Sequence, residues 1–144
     1  MKPKAESFGG PDNWAAALGM AALVEGLAGV RNTGLAYSDV LLSPRWASAS
    51  VDSVTVTTRF AASDGYLAYR YHHDPGKGQT ELSLTGSGNQ MNVHLLLPEG
   101  VSKVSSVTSS GQKLPFALTK IEKSQYVDFE VTLPGIQEVV VQYH

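Results

Sequence analysis

The chain has no cysteine, so its fold rests on no disulfide framework and no thiolate metal site. That leaves either a reducing or an oxidising compartment open. Charge is also scarce. Only 17% of its 144 residues are Asp, Glu, Lys or Arg, and the net charge is −2. The eleven Lys and Arg residues are scattered, with no basic block or stripe. A nucleic-acid partner and an anionic membrane surface are therefore both disfavoured. No apolar run reaches the roughly twenty residues a membrane-spanning helix needs. Met1-Lys2-Pro3-Lys4 resembles the start of a signal peptide, but Glu6, Asp12 and Glu25 put acids in the stretch after it, and no small-x-small cleavage site appears.

What stands out next is a helix with no polar side. From Trp14 to Val30 the only residue charged at neutral pH is Glu25. A surface helix of a soluble domain carries an apolar stripe and a polar face. This segment is apolar or small all round, which predicts burial on several sides. Gly9-Gly10-Pro11-Asp12 reads as its start, after a lead-in over residues 1–10. Pro is tolerated in a first turn, and Asp12 suits a cap for the next free amides. The helix is expected to run to about Ala28, with Gly29 as a left-handed stop. Ala15, Gly19, Ala22, Gly26 and Gly29 form a small-residue seam along it. Glu25, an acid in such surroundings, needs a partner or partial exposure.

Beyond Arg31-Asn32-Thr33-Gly34 the apolar period drops to two. Strands are expected over 35–42, 53–60, 66–72, 80–85, 91–97, 103–108, 116–121, 125–131 and 136–143. Ser63-Asp64-Gly65, Asp74 to Gly78 and Gly86 to Asn89 read as hairpin turns between them. Short strands at this spacing predict a mainly β fold, an antiparallel sandwich of jelly-roll type over residues 34–144, preceded by one helix. A sandwich covers one side of a helix, so the remaining faces call for a larger partner or for self-association through Asp12 to Ala28.

Chemistry is sparse, and each candidate has a plain structural rival. His72, His73 and Asp74 form the one histidine cluster. Adjacent strand residues point to opposite faces, so His72 and His73 do not readily share a metal. His94 lies in an apolar strand and reads as a satisfied, partly buried histidine. Asp128 and Glu130 share one strand face about 7 Å apart, a separation compatible with paired catalytic acids and equally with a solvated face. Gly86-Ser87-Gly88 opens no helix and so lacks the amide array of a phosphate loop. No nucleophile elbow or Ser-His-Asp set is present. No metal or cofactor is expected. Trp46, Tyr66, Tyr69 and Tyr71 are candidates for stacking on sugar rings, or else for the core. Trp46, after a Pro turn, is placed either at the surface or as a plug at the helix–sandwich junction.

The order of segments carries a resemblance. Gly9-Gly10, Asn13-Trp14, the Ala-rich helix ending Glu25-Gly26-Leu27-Ala28-Gly29-Val30, and Leu41-Leu42-Ser43-Pro44-Arg45-Trp46 follow one another as in the C-terminal end of (α/α)6-barrel glycoside hydrolases and phosphorylases. These are the six-hairpin, maltose-phosphorylase-like glycosidases. The resemblance implies that the helix is the last of such a barrel and that the strands are its accessory sandwich. The catalytic acids of that family lie in barrel segments upstream, so none carries over to this chain. By the same resemblance, Gly9, Gly10, Asp12, Asn13 and Trp14 fall near the active-site end of the parental barrel. The expected function is thus a non-catalytic accessory domain of a carbohydrate-active enzyme. The alternatives are a carbohydrate-binding module using Trp46, Tyr69 and Tyr71, and a small independent glycosidase using Asp128 and Glu130.

Overall fold

The computed structural model describes the backbone from Pro11 to His144 and the side chains from Asn13 onward. The lead-in over residues 1–10 and the capping role of Asp12 lie outside the described residues.

An α-helix, α1 (Pro11–Ala21), runs into a π-helical segment, Ala22–Leu27. There the Ala28 N–H donates to the Leu23 carbonyl at 2.8 Å, the i→i−5 bond of a π turn. The expected single α-helix is therefore wider over its last turn and a half. Gly29 ends it with φ +69°, as a glycine stop requires. A Cβ at that position would overlap the Ser43 carbonyl, so the residue is fixed by space as well as by φ.

Eleven strands follow, in two layers. They are β1 (Val30–Asn32), β2 (Asp39–Leu42), β3 (Ser53–Arg59), β4 (Tyr66–Asp74), β5 (Gln79–Gly86), β6 (Gln90–Leu96), β7 (Val104–Ser109), β8 (Gln112–Lys113), β9 (Phe116–Ile121), β10 (Ser124–Thr132) and β11 (Gln137–Tyr143). One sheet has the order β1-β2-β6-β10-β9 and the other β3-β4-β5-β11-β7-β8. Every pairing is antiparallel except β2 with β6, which is parallel. The fold is the mainly β sandwich that the period-two pattern predicts.

Three details differ from the sequence reading. The strand expected over 35–42 is only its last four residues, β2, because the chain before them turns with Ala36 and Tyr37 at positive φ, and a strand not expected, β1, lies upstream of that turn. The sandwich consequently begins at Val30. The Gly86 to Asn89 turn is not a hairpin, because β5 and β6 belong to different sheets and the turn carries the chain across. The short β8 carries no periodic signal and is absent from the expected strands.

The core is the alternate residues of both inner faces. Leu67, Tyr69 and Tyr71 of β4 and Leu82 and Leu84 of β5 face Met91, Val93 and Leu95 of β6 and Val127 and Phe129 of β10. Burying each such side chain contributes roughly 1.5–3 kcal/mol. The helix takes little part. Only Val24 and Leu27, at its end, pack on this core.

Candidate functional site

The helix leaves the sandwich at a tightly fastened corner. Arg45 donates from its backbone N–H to the Leu27 carbonyl and from Nη1 to the Gly26 carbonyl, both at 2.9 Å. A cation on the last carbonyls is favoured by the helix dipole as well. Ser43 N–H donates to the Gly29 carbonyl at 2.7 Å. Behind them Trp46 Nε1 donates to the Tyr69 hydroxyl at 2.8 Å, and that hydroxyl donates to the Ala28 carbonyl at 2.7 Å. Helix end, connecting loop and β4 are thereby joined through buried groups. Trp46 begins a 3-10 turn, Trp46–Ala49, and plugs the junction.

Upstream of this corner α1 packs substantially only on the π segment that continues it. Trp14 is 71% exposed, Leu18 69%, Met20 60% and Leu23 47%. Glu25 is exposed too, so the apolar surroundings expected for it are absent. Asn13 and Trp14 sit at the outer end of the helix. A 17-residue helix containing Gly19 and Gly26 is marginal by itself in water, where stability comes from packing an apolar face.

The sugar-stacking candidates behave otherwise. Trp46, Tyr69 and Tyr71 are 6%, 2% and 0% exposed, and their ring faces are closed by the core. They are core residues here, not a platform, because the odd positions of β4 all point inward. Burial pushes the Tyr71 phenol up to about 12, with Tyr143 nearby adding to it, and pushes the Tyr69 phenol up as well. Tyr143 shifts the same way for the same first cause. Neither the Tyr71 nor the Tyr143 phenol oxygen has a hydrogen-bond partner among the described residues.

The proposed acid pair is also reassigned. Asp128 accepts from Thr119 Oγ1 and pairs with His94 Nδ1, and the His94 ring stacks on Tyr126 with centroids 4.1 Å apart. Glu130 is exposed and outside this cluster. Both of the Asp128 oxygens are thus engaged. A shallow depression of about 470 Å³ that includes Glu130, and another of about 380 Å³ lined by Ser48 and Lys123, do not include Asp128. The His94 cluster escapes a reading of the sequence because it depends on the register of β6 against β10, which pairs His94 with Asp128. Only the alternation hints at it, by placing each on an outer face.

His72 is exposed, while the half-buried His73 pairs with Asp52 at 3.2 Å. Asp74 does not join them. It accepts from Lys77 at 3.0 Å, and that hydrogen bond holds its carboxyl below the ordinary range. Among the described residues no group of three or more His, Asp or Glu side chains is arranged to hold a metal ion. No described helix is long and apolar enough to cross a membrane.

Comparison with protein-family models, with curated proteins and with solved structures yields no match.

Proposed function

We propose that this chain is a non-catalytic accessory β-sandwich of a carbohydrate-active enzyme, whose helix packs against a helical barrel. One observation carries the reading: a firmly anchored helix presents Trp14, Leu18, Met20 and Leu23 to solvent on several sides. Soluble domains rarely leave such a surface uncovered. Covering each of these side chains with other helices is worth about 1.5–3 kcal/mol. The resemblance of the Gly9 to Trp46 segment to the last barrel helix and its step into a sandwich names the kind of cover. In that arrangement Asn13 and Trp14 stand at the end of the helix nearest the parental active site.

The engagement of Asp128 by His94 and Thr119 supports the absence of catalysis. The binding-module alternative is left without its platform, since Trp46, Tyr69 and Tyr71 are enclosed. The test is an assay of the chain on aryl glycosides and on oligosaccharides with and without inorganic phosphate, paired with a glycan array. Neither turnover nor binding is expected. Turnover that disappears in Asp128→Asn or Glu130→Gln contradicts the reading, and so does sugar binding lost in Trp46→Ala with the fold intact.

A further inference from the structure

Among the described residues each sheet ends in two strands whose outer edges are unpaired, and three of these four edges are blunted. β1 is three residues long and β8 two, too short to template another strand. β9 carries Lys120 on the same side as Phe116 and Leu118, the side turned toward the facing sheet. An inward-set charge discourages a strand from adding there.

The fourth edge has no such device. β3 is seven residues long, Ser-Val-Thr-Val-Thr-Thr-Arg, and pairs with β4 in one unbroken register. It contains no Pro, Lys or bulge. Its backbone direction is fixed at both ends. His73 N–H donates to the Asp52 carbonyl, and Phe60 N–H donates to the Gly65 carbonyl, each at 2.8 Å. Even-numbered positions therefore turn their amide groups toward β4. The N–H and C=O of Ser53, Thr55, Thr57 and Arg59 point to the open edge and make no hydrogen bond among the described residues.

We propose that β3 is the docking strand for a second copy of this chain, added antiparallel about a two-fold axis at Val56. In that register Thr55 faces the partner's Thr57, Ser53 faces the partner's Arg59 and Val54 faces the partner's Thr58. Every outward-pointing residue then meets another outward-pointing residue, so each free N–H and C=O gains a partner. β-Branched residues pair across the junction, and no like charges oppose each other. A two-residue slip leaves Ser53 or Arg59 unpaired, and a one-residue slip turns side chains to the wrong face. The sequence of the strand is thus matched to its own reverse in one register, the requirement for an isologous interface. This inference is independent of the accessory-domain reading.

The test separates strand pairing from helix association by using the full chain with Leu18→Glu and Leu23→Glu. Sedimentation is expected to report twice the 15.3 kDa of one chain. Adding Thr57→Pro removes an edge donor that β4 does not use, and is expected to return the mass to one chain, while the urea midpoint taken at a dilution where both variants are single chains stays the same. Amide exchange on the unsubstituted chain gives a readout that needs no variant. The amides of Ser53, Thr55, Thr57 and Arg59 are expected to slow as protein concentration rises. A Leu18→Glu/Leu23→Glu chain that stays monomeric at every concentration overturns the proposal. So does a dimer in which these four amides exchange as freely as in the monomer.

Discussion

At the level of single residues, Tyr69 and Tyr71 look alike in sequence, two positions apart on one strand face. The structure gives them opposite roles. The Tyr69 hydroxyl serves both Trp46 and Ala28, so Tyr69→Phe leaves a buried donor and a buried carbonyl unpaired. The expected cost is about 2–4 kcal/mol in urea denaturation. The Tyr71 hydroxyl has no partner, so Tyr71→Phe is expected to leave stability unchanged or raise it. Equal losses in the two variants contradict this division. The phenols also set an alkaline limit. Tyrosines of the unfolded chain ionise near pH 10, whereas Tyr71 stays protonated in the folded state up to about 12. Its contribution is whole below pH 10 and is lost as pH climbs through 12. Tyr71→Phe is expected to flatten the fall in unfolding free energy over that window. The core role of both rings is half legible in the sequence, because alternation puts them on one face with Leu67. Which hydroxyl finds a partner is not, since Trp46 and Ala28 reach Tyr69 only through a junction spanning 41 residues.

Among the elements, the strands with clean alternation are the legible ones. β9 agrees at both ends with its expected span, and β3, β10 and β11 agree within a residue or two. β10 and β11 bury alternate residues and β3 half-buries them, which is the condition that makes period two visible, whereas β9 alternates in sequence but stays exposed along nearly all its length. β8 and β1 are not visible, because two- and three-residue strands are set by their neighbours. The assignment of strands to sheets is hidden for the same reason, so that the Gly86 to Asn89 turn looks like a hairpin. The helix is legible as an element with no polar face, and it is this element whose apolar side chains the described residues leave exposed. Because Leu18 and Leu23 touch little of the sandwich, Leu18→Glu with Leu23→Glu is expected to change the urea unfolding free energy of the monomer by no more than about 0.5 kcal/mol. A loss of several kcal/mol in that measurement means the two leucines are covered by the chain's own sheets.

For the whole molecule, a self-sufficient sandwich and a helix in want of cover are joined through Arg45, Trp46 and Tyr69. The candidate site is legible only in part. The apolar helix is apparent from composition, whereas the enclosure of Trp46, Tyr69 and Tyr71 and the engagement of Asp128 by His94 require the register of the strands. The described residues therefore divide into a β body held by its own core and a helical arm whose exposed apolar side chains a partner covers on the proposed reading. The measurement that bears on this most directly is amide exchange along residues 14–27, taken at a dilution where sedimentation reports a single chain. Those amides are expected to exchange nearly as fast as an unstructured peptide, while β5 and β11 stay protected. Protection of the helix equal to that of β5 and β11 in the monomer contradicts the account.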